Sequence, residues 1–417
     1  MRPWVLKGLA LLAVLVAFEA RTESGVEVKG EGALEARGFF HDPVDARQAD
    51  ADVSFRLQPE FYAEWNERNT SVTFTPFGRW DSADDERTHW DIREWYLRHR
   101  SSDFETRVGI RKVFWGATES VHLVDIINQT DLVENPDGED KLGQPMANLA
   151  WTRDGRTLDL FVLPYFRERT FPGVEGRLRP VVSVVPPFPP GTPPAYVSND
   201  ESAYESQDEE QHVDWAARYA YSGGNLDFAL SHFSGTARAP RFISGPGGIV
   251  MTSEGPALVP FYDLIERTGF DATYVMDGWL MKLEGIYQHS DVDDYSAAAG
   301  GFEYTVTGAF ETAVDVGLLA EYIWDERDEL ATTPFNNDIF LGTRIAANDE
   351  ASSELLAGAI VDADTQAAFA NLEASRRLGA GFKLTLEARL FERAEPGDPA
   401  YSFRQDDYLS LELAYFY

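Results

Sequence analysis

Tyr408-Leu-Ser-Leu-Glu-Leu-Ala-Tyr-Phe-Tyr417, the last stretch of the chain, decides how the rest is read. Leu409, Leu411, Leu413, Tyr415 and Tyr417 fall on every second position, with Ser410, Glu412 and Ala414 between them. Successive side chains of a β-strand point to opposite faces, so the segment has one apolar face and one mixed face. An apolar strand with an unpaired edge is a template for aggregation. Pairing with the first strand of the same chain would close a barrel and remove that edge. Taken alone, the segment fits the last strand of a soluble β-sandwich as well, and the remaining sequence has to discriminate.

The other end of the chain narrows the choice. Arg2 and Lys7 flank the start of Gly8-Leu-Ala-Leu-Leu-Ala-Val-Leu-Val-Ala-Phe18, an apolar run too short to span a bilayer as a helix. A basic start and a short apolar core predict a signal peptide over residues 1–24, cleaved after Ala20 or Ser24. No later stretch approaches the length of a transmembrane helix. The exported product is therefore expected to be either soluble or a transmembrane β-barrel over 25–417. With 417 residues, the chain is long enough for two soluble domains or one large barrel. Its lack of cysteine decides little. The formal charge of -34 argues against nucleic acid as a partner and favours cations near the surface.

Beyond residue 25 almost every segment reads at period two. Val53, Phe55, Leu57, Phe61, Ala63 and Trp65 share one face, and Ser54, Arg56, Gln58, Glu60, Tyr62 and Glu64 the other. Counting such segments predicts an all-β chain, a single antiparallel up-and-down barrel of about 18 strands, with about 16 as the alternative. Short turns at 67–69, 101–103, 153–155, 222–225, 277–278, 311–312 and 379–381 alternate with longer links at 41–52, 118–145, 170–211, 241–264, 327–336 and 394–402; the links near 83–87 and at 364–365 are brief exceptions. One rim of short turns and one of long loops is the asymmetry of an outer-membrane barrel, with the short turns periplasmic. A soluble sandwich has no reason to keep it.

Polar side chains alternate with the apolar ones, as a wet lumen requires. The hairpin 88–117 is the densest: Glu94, Tyr96 and Arg98 lie on one strand, Glu105, Arg107 and Arg111 on the next. A row of permanently charged arginines facing carboxylates sets a field across a pore. The plainer account is cross-strand ion pairing that braces the wall. Lys282, Glu284, Lys383, Glu387 and Arg389 are further candidates for the pore lining.

The link 118–145 is long, yet it contains Val121, Leu123, Val124, Ile126 and Ile127. Apolar residues in a long link imply packing, most simply against the inner wall. Trp115, His122, Asp125, Asn128 and Asp131 are then candidates for a constriction; a packed external cap is the alternative. The link 170–211 joins the proline tract Pro186–Pro194 to an acidic tract, Asn199–Glu210, and reads as an external loop. No acidic run has the oxygen-ligand spacing of an EF-hand, and neither a metal nor a cofactor is expected.

The residues Ile92-Arg-Glu-Trp-Tyr-Leu97, Val108-Gly-Ile-Arg-Lys-Val-Phe-Trp-Gly116, Val124-Asp-Ile-Ile-Asn-Gln-Thr-Asp-Leu132 and Lys141-Leu-Gly-Gln-Pro145 occur in the order seen in porin-like outer-membrane barrels of Gram-negative bacteria. Asn337–Asp349 and Leu355–Asp362 resemble later strands of the same group. The resemblance implies a channel passing small solutes across the bacterial outer membrane, with the third external loop turned inward. Its implied partners are outer-membrane lipid and lipopolysaccharide, and an assembly machinery acting on the terminal strand at Tyr417. Two alternatives remain open. One is a closed barrel with an adhesion or envelope-structure role through its acidic loops. The other is an outer-membrane hydrolase, weakened because none of His41, His89, His99, His122, His212, His232 and His289 lies in a nucleophile or metal-ligand motif.

Overall fold

The computed structural model describes residues 25–182, 195–244, 250–252, 255–328, 331, 333–396 and 399–417. The expected signal peptide and the tract Pro186–Pro194 lie outside the described residues. Eighteen long strands, from Val26–Phe39 to Tyr408–Phe416, form one antiparallel sheet in which each pairs with its neighbours in sequence. The last strand pairs with the first from Glu31↔Phe416 to Phe39↔Tyr408, so the sheet is a closed barrel without an edge. The count is the eighteen expected from the period-two pattern.

The terminal strand shows why the pattern works. Leu409 and Leu411 are 41% and 46% exposed, whereas Ser410 between them is 6% exposed and Ala414 is 3% exposed. The same inversion recurs on Trp279–Ser290, where Met281, Leu283 and Tyr287 are exposed and Lys282 and Glu284 are buried. An apolar exterior around a polar interior is the reverse of a soluble fold and matches a wall facing lipid.

The rim that carries Val26 and Tyr417 is made of tight turns. Asp154–Gly155 and Asp277–Gly278 both have two successive residues at positive φ, the backbone of a two-residue hairpin turn that favours Asp-Gly. The turn expected at 311–312 is wider, filling the gap between Val306 and Asp315. The opposite rim carries the long links. There Ala195–Val197, Ala203–Tyr204, Arg241–Ile243, Val250–Thr252 and Val181–Val182 assemble with Gly255–Tyr262 into a second, smaller sheet. The link after Leu163 also reaches far around that rim. Arg177 donates from Nε to Asp406 at 2.6 Å, and Gly173 N donates to Asp84 at 3.1 Å.

One wall irregularity matters for the lumen. Thr75 pairs with Glu94 but Pro76 pairs with Ile92, leaving Arg93 as the extra residue of a β-bulge. Proline has no N–H to give to the ladder, and a bulge is where a sheet tolerates it. The bulge reverses the alternation, so Asp91 and Arg93 are buried inside the barrel while Trp90 and Trp95 are exposed outside it.

Candidate functional site

The link between Arg111 and Gln144 occupies the lumen, held by carboxylates that project from distant parts of the wall. Glu284, fully buried, accepts from the backbone N–H of Ala117 at 2.6 Å, Thr118 at 3.0 Å and Val124 at 3.2 Å, and from the Thr118 hydroxyl at 2.9 Å. Glu321 accepts from the N–H groups of Glu119 at 2.8 Å and Ser120 at 2.9 Å, and from the Ser120 hydroxyl at 2.6 Å. Glu119 in turn pairs with Lys282 at 3.2 Å and Arg344 at 2.8 Å. Farther along the link, Asp131 meets Arg93 at 2.6 Å, Glu134 meets Arg79 at 2.8 Å and Asp137 meets Arg389 at 2.8 Å. The link thus touches the wall on opposite sides of the barrel.

Its apolar residues pack on one side only. Trp115, Val124, Ile126 and Ile127 form a buried cluster with Met146, Phe161, Leu163, Phe233, Ile265 and Ile286 of the inner wall. Val121 and Leu123 continue it toward Leu319, Ile323 and Phe340. Burying an aliphatic side chain of this size contributes about 1.5–3 kcal/mol. Half of the lumen is in effect a hydrophobic core. His122 lies at its margin, 4.8 Å from the Phe114 ring and 3.8 Å from Glu139. Burial opposes a charge on His122, but the nearby carboxylates of Glu139, Glu284 and Asp125 outweigh it and raise its pKa above the ordinary histidine value.

The other half is polar. A cavity of about 220 Å³ lies among Glu35, Arg56, Arg79, Glu134, Glu387 and Glu412. A second, of about 710 Å³, opens toward the long links and is mixed, with Asp137, Arg344 and Arg389 on one part of its lining and Ile126, Phe340, Phe369 and Phe403 on another. Residues 134–141 of the link contribute to both. Around the smaller cavity the wall is cross-braced: Arg56 pairs with Glu31 and with Glu412 (3.0 Å), Arg79 with Glu35 (3.0 Å), and Arg87 with Asp81 (2.7 Å) and Glu35 (3.0 Å).

The residues singled out in the sequence fall into two groups. Along the hairpin Trp90–Arg111, Arg98 pairs in register with Arg107, Glu105 meets Arg107 and Arg100 (2.9 Å), and Arg111 lies 5.3 Å over the Tyr96 ring. Asn148 accepts from Arg107 at 3.3 Å and from Arg111 at 3.2 Å, so three wall strands share one polar patch. Glu94 and Lys383 are half-buried on the same inward-facing side. The second group holds the link. Arg389 is 1% exposed between Asp137 and Glu387, and Tyr408 donates its hydroxyl to Glu387. Asp125 accepts from Trp115 N and pairs with Lys141 at 3.1 Å. Asn128 accepts from Val113 N and donates to the Arg111 and Leu142 carbonyls, each at 2.8 Å, closing the base of the link.

Sequence reading missed Glu35, Arg79, Arg87, Asp91, Arg93, Glu134 and Glu321. Arg79 and Glu35 sit on the polar face of alternating strands and were within reach of it. Asp91 and Arg93 were not, because the bulge moves them off the alternation.

No protein-family model and no curated protein matches the chain. Among solved structures, it is similar to variants of the Rhodopseudomonas blastica porin at 11% identity with a TM-score of 0.43 and at 13% with 0.44. It is also similar, at 12% identity and a TM-score of 0.44, to a structure described under the asymmetric conductivity of engineered proteins. Each comparison covers 94% of this chain and 100% of the other. The eighteen-strand closure rests on the chain's own strand pairing.

Proposed function

We propose that the protein is a porin-like, non-enzymatic channel of the bacterial outer membrane that passes small polar solutes through the charged half of its lumen. The observation that carries this reading is the link 112–143 docked across the barrel interior, with a polar cavity and a larger mixed one remaining beside it. A link that only capped the rim would have no reason to bind carboxylates on the inner wall. The row Arg98, Arg107 and Arg111 against Glu105 and Glu94 gives that passage a charged lining. Outer-membrane lipid, lipopolysaccharide and the assembly machinery acting on the terminal strand at Tyr417 are the partners that go with this location. Reconstitution of the purified barrel in planar bilayers tests the reading: discrete conductance steps are expected, larger when residues 118–130 are replaced by a short Gly-Ser linker. Absence of steps from both proteins refutes it.

A second reading, a closed barrel acting through its external surface, is favoured by one observation. Arg177 and Gly173 tie the link after Leu163 to Asp406 and Asp84 on the far rim. Unchanged solute uptake in a deletion strain, together with altered surface adhesion, selects it over the channel.

A further inference from the structure

We propose that His89, Asp131 and Glu134 form a binding site for a divalent transition-metal ion of the zinc type, which fastens the inner link to the wall. His89 stands at the end of the link 82–89, just before the strand Trp90–Ser101. Its Nδ1 lies 3.0 Å from the Arg87 carbonyl oxygen. A ring nitrogen facing a carbonyl must carry the hydrogen, so in the neutral ring Nε2 is the bare lone pair. That nitrogen faces the Asp131 carboxylate at 3.4 Å and the Glu134 carboxylate at 3.7 Å.

The three facing atoms, His89 Nε2, Asp131 Oδ2 and Glu134 Oε1, lie within 4.8 Å of one another; His89 Nε2 and Glu134 Oε1 have no hydrogen-bond partner, while Asp131 Oδ2 is ion-paired with Arg93 at 2.6 Å. The carboxylate side chains are 1% and 4% exposed. Three electron-pair donors converging in a buried place repel one another unless a cation stands between them. Two guanidinium groups flank the cluster. Arg79 is committed to the other Glu134 oxygen at 2.8 Å and 3.0 Å, and Arg93 approaches Asp131 Oδ2 at 2.6 Å.

The donor set selects the ion. One imidazole nitrogen and two carboxylate oxygens suit Zn²⁺ and its neighbours better than Mg²⁺ or Ca²⁺, which take oxygen alone. A histidine that ligates a metal commonly donates its other N–H to a carbonyl, the geometry His89 already has. Asp131 and Glu134 are brought to one side by a turn in which Glu134 N donates to the Asp131 carbonyl at 3.1 Å. The smaller lumen cavity, which Glu134 and Arg93 line, supplies a path for the ion. Because the site joins the link to the wall, bound metal would hold the proposed constriction closed. That consequence rests on the channel reading; the binding itself does not.

The test uses the full barrel folded in detergent and Zn²⁺ as the probe, titrated against a chromophoric chelator. One equivalent is expected to bind, with affinity at least tenfold weaker in His89→Gln and in Glu134→Gln. Absence of saturable binding, or equal affinity in all three proteins, overturns the proposal. If the variants fail to fold, Co²⁺ added to the wild type decides: a visible absorption band of a low-symmetry nitrogen–oxygen site supports it, and only the spectrum of hydrated Co²⁺ overturns it. Zn²⁺ binding without any conductance sinks the channel reading alone, whereas conductance without Zn²⁺ binding sinks this one alone.

Discussion

Replacing Glu284 by alanine removes the acceptor that holds the near end of the inner link. In the native protein its carboxylate takes four hydrogen bonds from Ala117, Thr118 and Val124, and no water reaches it. Hydrogen bonds to a charged acceptor contribute about 1.5–3 kcal/mol each, and a buried donor left without a partner costs about 1–3 kcal/mol. Three orphaned backbone N–H groups therefore cost about 3–9 kcal/mol if the link stays in place. The cheaper response is for residues 116–124 to leave the wall and be solvated. Amide exchange followed by NMR or mass spectrometry is then expected to show protection at Ala117, Thr118 and Val124 falling by about a hundredfold or more, since each 1.4 kcal/mol is a factor of ten. Single-channel conductance is expected to rise in the same variant, while Leu283→Ala, on the outer face of the same strand, leaves both unchanged. Native exchange protection together with native conductance in Glu284→Ala refutes the reasoning.

Three other outcomes follow from contacts described above. Asp406→Asn leaves the buried Arg177 guanidinium without its charged partner, a loss of about 3–5 kcal/mol for pairs of this kind, and trypsin is expected to cut after Arg177 faster than in the wild type. The raised pKa of His122 gives a definite sign: the proton stabilises the docked link fully below about 6.5, the unfolded value, and that contribution is lost as pH rises through the higher folded value. Histidine-selective NMR is expected to place the His122 midpoint above 6.5 and to move it down in Glu139→Gln; a wild-type midpoint at or below 6.5 contradicts this. Leu411→Arg puts a charge on the apolar outer face and, if that face meets lipid as proposed, is expected to destabilise the barrel by about 2–4 kcal/mol in a vesicle refolding titration, whereas Leu411→Val is expected to cost less than half of that.

The wall was legible in the sequence because each strand announces itself locally: Leu409 and Ser410 differ in environment because they are neighbours on a pleat. The interior was legible only where partners stay close along the chain, as with Glu105, Arg107 and Arg111. Glu284 and Arg389 were readable as inward-facing, but their attachment to the link was not, because Ala117 and Asp137 lie 167 and 252 residues away. Asp91 and Arg93 were hidden for a different reason, since one extra residue opposite Pro76 reverses the period without altering composition. The small sheet above the rim escaped because all its strands but Gly255–Tyr262 have two or three residues, as in Ala203–Tyr204 and Arg241–Ile243, too few to show a period at all.

The hydrophobic cluster inside the lumen means that this barrel contains two kinds of stability. In the proposed membrane location its outer apolar face exchanges one oily surrounding for another and gains little from the ordering of water. Trp115, Val124, Ile126 and Ile127, by contrast, leave water when they dock, as the core of a soluble protein does. Their docking should carry a large negative heat-capacity change, weaken on cooling and yield to urea while the hydrogen-bonded wall stays intact. Chilling would then loosen the filling before the cask, and the bore of the proposed channel would vary with temperature although the number of staves does not.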